Sequence, residues 1–237
     1  MEIHYRAFLP DADWTSYREL FKLSFPETLG TAVEGEEHYR WKFERFPDSR
    51  SSYQYVGDEG GRVVGYYAAL PYAYQIDGVR HRCAMVCDVM THPDYRGRGI
   101  FTQIGRFATG ELGKAGLGFT TGYPIRPEVI PGHLKVGWHV VQKLPTYVRP
   151  LGVSGLLPRP LRPLGKVADA VIRGVQAWSL RECAGYSTQT YNRDEFIRRV
   201  AGSESYSTFL AKWMAGQPNA LVKDAAFLDW RTSAPGA

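Results

Sequence analysis

The sequence predicts a mixed α/β layer protein with a mostly antiparallel central sheet flanked by helices and a partly helical C-terminal extension. Three observations carry this. Two aromatic-rich stretches near the N-terminus repeat at helical spacing. From Tyr53 the period changes to that of strands, in a Val- and Tyr-rich segment cut by the turn signals DEGG and IDG. A strand-like run ending near Thr91 then meets a glycine-rich turn and a helix. The resulting order, β-α-α-β-β-β-α-β-α-β-β, is not a regular βαβ repeat.

IHYRAFLP reads as a first strand closed by Pro10, and Asp11 or Asp13 is expected to cap the helix that follows. In that helix Trp14, Tyr17, Leu20, Phe21 and Phe25 recur at helical spacing. GEEHYRWKFERF is a second helix, stopped before Pro47. Three antiparallel strands are expected at 53–57, 63–74 and 82–91, then a helix over 100–115 that ends at KAG and LG. GLGFTTGYP is the next strand and VIPGHLKVGW a short helix. HVVQKLPTYVR, 139–149, is expected to supply a closing strand pair bent at Pro145.

After Pro150 a Pro/Gly connector leads into a helix over 166–180, with Val167, Val171, Ile172, Val175 and Trp178 to one side. Its basic residues raise a membrane-surface helix as an alternative, and the expectation adopted is a helix packed on the domain with a solvated basic face. EEHYRWKFERFP near the start and AAFLDWRTSAP at the end share a Trp, a basic residue and a following Pro.

The chain has 237 residues, 44 % apolar and 22 % charged, with a net charge of +5, which suits an anionic ligand such as a phosphate-bearing group. No dense basic tract interleaved with aromatics indicates nucleic acid. Cys83, Cys87 and Cys183 form no CxxC, so neither a zinc site nor a disulfide framework is expected. No apolar run approaches the ~20 residues of a membrane span. With no apolar signal core in MEIHYRAFLPDADW, the expected location is cytoplasmic, with no membrane partner and a homodimer left open.

Arg96-Gly97-Arg98-Gly99 stands between strand and helix. The first amides of a helix have no internal partner and carry the positive end of its dipole, and glycine lets an anion approach them. Strand, glycine turn and helix therefore make a phosphate cradle. Glycine spacing alone serves a tight turn with a basic surface equally well. GxxxxGK[ST] is absent, and GxGxxG does not fit because Phe101-Thr102 follow Gly99.

The stretch VMTHPDYRGRGI, 89–100, resembles motif A of the GNAT superfamily of acyl-CoA-dependent N-acetyltransferases, whose core is [QR]-x-x-G-x-[GA]. The element order over 1–150 is similar too. The resemblance implies a GNAT-like domain at 1–150. It also implies that 151–237 is an extension, in which the repeated Trp motif suggests the start of a second, incomplete GNAT-like unit. It implies that Arg96, Gly97, Arg98, Gly99, Ile100, Phe101 and Thr102 meet the pyrophosphate of acetyl-CoA, while Val89, Met90 and Thr91 on the strand meet its pantetheine arm. Phe101 departs from the pattern, where Gly or Ala is usual.

The implied reaction is direct transfer of acetyl from acetyl-CoA to a primary amine of a small molecule, an amino sugar or other metabolite. HLKVGW resembles the family's Y-x-K-x-G-F, so His133 stands where the usual general acid Tyr would be. Tyr123 and Tyr147 are rival donors. Asp88 is the candidate base, sharing a face with Met90, with Glu128 second; His92 is expected to position the loop. No metal is expected. The alternative function is a non-catalytic CoA-binding or regulatory module on the same fold.

Overall fold

The computed structural model describes residues 2–124, 126–145, 152–154, 157–179 and 189–236. It falls into two compact units: residues 1–139 with 191–237, and residues 140–190. Composition divides the chain near 150, close to the start of the second unit. Residues 191–237, grouped with the extension by sequence, instead cluster with the first unit.

The first unit is built on a six-stranded sheet in the order β1-β2-β3-β4-β5, with β6 also pairing to β3. The strands are β1 His4–Ala7, β2 Tyr53–Glu59, β3 Arg62–Ile76, β4 Val79–Thr91, β5 Thr120–Thr121 and β6 Ala220–Leu221. All pairs are antiparallel except β4 with β5. One face packs against α1 (Pro10–Ser24) and α2 (Glu36–Phe43), through Tyr17, Leu20, Phe21, Tyr39, Trp41 and Phe43. The other packs against α3 (Ile100–Lys114), through Ile104, Ala108 and Leu112. The i, i+4, i+8 spacing of those three residues is what a helix needs to cover a sheet.

Two local expectations are corrected. Neither Asp11 nor Asp13 caps α1; Leu9 holds the N-cap position. Asp13 sits one turn inside, where its carboxylate accepts from the Leu9 amide and is clasped by both terminal nitrogens of Arg6 at 2.7 Å. Burial would raise its pKa, but the Arg6 hydrogen bonds and the Leu9 amide outweigh burial, and the carboxyl is held below its usual range. The closing strand pair is absent as far as residue 145, where the backbone is irregular. Val140, Val141 and Leu144 are exposed there, so their apolar pattern has no sheet to lie on. Residues 146–149, with Tyr147, lie outside the described residues.

The C-terminal part of the first unit adds α6 (Arg193–Phe196), a π-helical turn through Ala201, α7 (Glu204–Gly216), β6 and α8 (Ala225–Thr232). β6 pairs with Tyr74 and Gln75 of β3, beyond Ala69 where β2 stops. α8 brings the repeated Trp motif against its counterpart. Trp41 and Trp230 stack at 4.8 Å, only 4° from parallel. Each indole N–H donates to the other residue's carbonyl, at 2.7 and 2.9 Å. The short sequence likeness is thus a reciprocal contact buried in the core.

In the second unit, α5 spans Arg162–Ser179. Asp169 is buried and accepts from the amides of Val153 and Ser154, which ties the helix to the segment before it. The packed-helix expectation is corrected here: Val167, Val171 and Val175 are exposed. Among the described residues no helix is long and apolar enough to cross a membrane, and no cluster of three or more metal-ligating residues occurs.

Candidate active site

The site grows from an irregularity in β4. Cys87 pairs with Ala68 and Met90 with Tyr66, so Asp88 and Val89 together oppose Tyr67. This is a β-bulge, and Asp88 absorbs it at φ +48°, a left-handed conformation uncommon for residues other than Gly but one that Asp, like Asn, adopts more readily than most. The bulge turns Asp88 toward α2 and onto the face of Met90, as alternation predicts, while Val89 packs toward α3.

Asp88 is not a free base. Its Oδ1 receives the Lys42 ammonium at 2.6 Å, with both side chains mostly buried. Burial alone would lower the Lys42 pKa, but the charge of Asp88, the nearby Cys87 and the Asp88 hydrogen bond together outweigh it, and the ammonium is held above its usual range. The pair lines a cavity of about 90 Å³ with His38, Phe21, Phe25, Thr28 and Val33. His38 Nδ1 is buried without a partner, and burial, reinforced by Lys42, lowers the pKa of its imidazole. A larger open groove of about 330 Å³ beside Trp14 and Tyr39 holds none of the site residues. The reactive groups, not the volume, mark the smaller cavity.

Lys42 and His38 stand outside the candidate site residues that the sequence offers, although the helix carrying them lies over the site. Their signal was the i, i+4 spacing on a helix, which puts both on one face.

On the other side of β4, the β4/β5 pairing ends at Met85 and Thr121. Beyond it β4 runs on to Thr91 with that edge unpaired among the described residues, so the two strands part. Three buried polar atoms without partners, Thr91 Oγ1, His133 Nδ1 and Trp138 Nε1, occur on β4, on α4 (Ile130–Val136) and just after it.

The glycine turn has the form of an anion cradle. Gly97 and Gly99 have φ of +78° and +77°, which glycine adopts without strain. Thr102 and Gln103 both donate to the Gly99 carbonyl. The amides of Gly97, Arg98, Gly99, Ile100 and Phe101 meet no acceptor among the described residues. Arg98 lies over the Tyr95 ring at 4.8 Å. His92 behaves as the positioning residue expected: it is buried, accepts from the Asp94 amide, and its Nε2 is 2.9 Å from Arg62.

Phe101 is accommodated by its neighbours. Its ring packs edge-on against His133 at 5.0 Å and fills the space over Gly132, where a Cβ would come within 2.6 Å. The side chain thus leans on α4 while the amide stays at the helix N-terminus. His133 is buried between Phe101 and Trp138, and burial lowers its pKa. Tyr123 is 62 % exposed. Glu128 is exposed in the turn before α4.

Residues 5–141 match the family model "Acetyltransferase (GNAT) domain". The chain belongs to the GNAT acetyltransferase family. Among solved structures, AAC(6')-Iy in complex with the bisubstrate analogue CoA-S-monomethyl-acetylneamine superposes with a TM-score of 0.50 at 14 % identity, covering 63 % of this chain and 99 % of that one. Glucosamine-6-phosphate N-acetyltransferase from Arabidopsis thaliana gives 0.47 at 13 %, covering 62 % and 99 %. A probable N-acyltransferase from Enterococcus faecalis gives 0.46 at 16 %, covering 54 % of this chain and only 31 % of its own length. No curated protein matches the sequence. The family model and the observed six-stranded mixed sheet flanked by helices agree, so the expected fold class holds.

Proposed function

We propose that this GNAT protein transfers acetyl from acetyl-CoA to a primary amine of a small molecule, an amino sugar or related metabolite. One observation carries the reading. Five unpaired amides at the N-terminus of α3 adjoin an open edge of β4, and the bulge in that strand turns Asp88 into a cavity on the opposite face. The bisubstrate analogue held by AAC(6')-Iy, which joins CoA to an acetylated aminoglycoside fragment by its printed name, supports the same pairing of substrates.

The residues fit acetyl-CoA. The amides of residues 97–101, beside Arg96 and Arg98, would hold its pyrophosphate. The free edge at Val89, Met90 and Thr91 would pair with the pantetheine amides, with Ile100 and Thr102 flanking the cradle. Bound there, acetyl-CoA supplies an activated acyl thioester.

The protein's own residues prepare the amine. Asp88, already engaged by the Lys42 ammonium at 2.6 Å, anchors the incoming amine rather than taking its proton. His38, kept neutral by burial and by Lys42, takes the proton at its unpaired Nδ1. His133 replaces the family's Tyr and donates a hydrogen bond toward the departing sulfur. Tyr123, exposed at the surface, is the weaker donor.

Free-thiol release from acetyl-CoA with a panel of amino sugars and aliphatic amines tests the reading. Acceptor-dependent release that falls in His38→Gln and His133→Ala supports it. A second reading, a non-catalytic CoA-binding module, is favoured by the engagement of Asp88 by Lys42. Acetyl-CoA binding without turnover on any acceptor would establish that one instead.

A further inference from the structure

We propose that the second unit, residues 140–190, docks the protein on an anionic lipid surface through the apolar face of α5. Charge is the first ground. The whole chain has 29 basic and 24 acidic residues, and residues 140–190 hold seven basic and two acidic ones. That segment therefore carries a net +5, the full excess of the chain, and the remainder balances at 22 of each sign. The basicity that the sequence suggested for a phosphate ligand belongs to this unit rather than to the acetyltransferase fold.

Exposed apolar surface is the second ground. Leu164, Val167, Val171 and Val175 are 68, 65, 62 and 60 % exposed. Steps of three, four and four residues place them in one line along an 18-residue helix. Large aliphatic side chains left this open in a line need a partner. Arg162, Lys166 and Arg173 fall on the opposite side by the same spacing, with Arg159 just before the helix. The acid of this helix, Asp169, is buried on the Val153 and Ser154 amides, where of these cations it feels the charge of Arg173. That tie also fixes the helix against its own unit, with the apolar line left outward.

An apolar stripe backed by a cationic face is the pattern of a helix lying in the membrane interface, aliphatic side chains in the acyl boundary and cations among anionic headgroups. An acidic protein partner would use the cations and leave the valines in water. A second copy of the chain would bring two +5 units together. The lipid surface satisfies both features.

Co-sedimentation of the full chain with vesicles tests this, comparing phosphatidylcholine alone with phosphatidylcholine containing phosphatidylserine. The chain should pellet with the phosphatidylserine vesicles and be released by high salt. Each cation removed, as in Arg162→Gln or Arg173→Gln, should weaken binding by on the order of fivefold. Val171→Asp with Val175→Asp should abolish it while leaving Tm and any acetyl-CoA-induced rise in Tm unchanged, which keeps the outcome independent of the enzymatic reading. Failure to bind phosphatidylserine vesicles, or binding unaffected by the two Asp substitutions, would overturn the proposal. So would a dimer in light scattering that the same substitutions dissociate, since a second copy would then cover the face.

Discussion

Gly132→Ala should change sign with the residue at position 101. A Cβ on Gly132 would lie 2.6 Å from both Cδ1 and Cε1 of Phe101 and 3.3 Å from its Cζ. The ring has little room to yield, because His133 stands edge-on at 5.0 Å. Gly132 is not among the glycines with positive φ, so Ala at that position gains up to ~1 kcal/mol of intrinsic helix propensity. Overpacking against the ring costs ~1–3 kcal/mol. In the wild-type background the net is a loss of about 1 kcal/mol, or about 2–4 °C in Tm for a chain of this size. With Phe101→Ala the clash is gone and the propensity gain remains, so the same substitution should raise Tm by about 1–3 °C. Scanning calorimetry of the four variants reads the cycle. An effect of the same sign and size in both backgrounds would refute the account of how Phe101 is accommodated.

Trp230→Ala removes a buried indole that stacks on Trp41 and donates to its carbonyl, and should cost ~3–5 kcal/mol; Trp230→Phe, which keeps a ring but not the N–H, should cost clearly less in denaturant melts. Gly99→Ala forces a Cβ onto φ +77° and should cost ~1–2 kcal/mol, with weaker acetyl-CoA binding in a titration. His38 and His133 both have pKa values depressed from the ordinary 6.5. Unfolding lets them take up protons more readily, so their contribution is full above pH ~6.5 and is lost as pH falls through the lower folded values. The double variant His38→Gln, His133→Gln should show a flatter stability profile between pH ~7 and ~5, and an unchanged slope would mean that other groups carry it.

The architecture was legible where one signal dominated. Strand alternation, glycine turns and helical spacing placed β1 to β4 and α1 to α3 to within a few residues, while β5 is far shorter than GLGFTTGYP and β6 had no signal. The closing strands were not legible, because Val140, Val141 and Leu144 carry a strand-like pattern without a surface to bury it. At the site, Gly97 and Gly99 announced the turn, since only a backbone at positive φ requires glycine there. The pairing of Lys42 with Asp88 did not announce itself: it depends on a bulge that breaks the two-residue period, and a bulge leaves no mark in hydrophobic pattern. The likeness of the two Trp motifs was visible, but that they stack on each other follows only from α8 folding back onto the first unit.

Calorimetric titration of acetyl-CoA into the wild-type chain and into Gly99→Val tests the central claim most directly, that the N-terminus of α3 and the open edge of β4 hold this substrate. One binding site per chain is expected, with affinity lost or weakened at least ~tenfold in the variant because the side chain blocks approach to the free amides. No binding to the wild type at millimolar acetyl-CoA, or equal affinity in the two proteins, would contradict it.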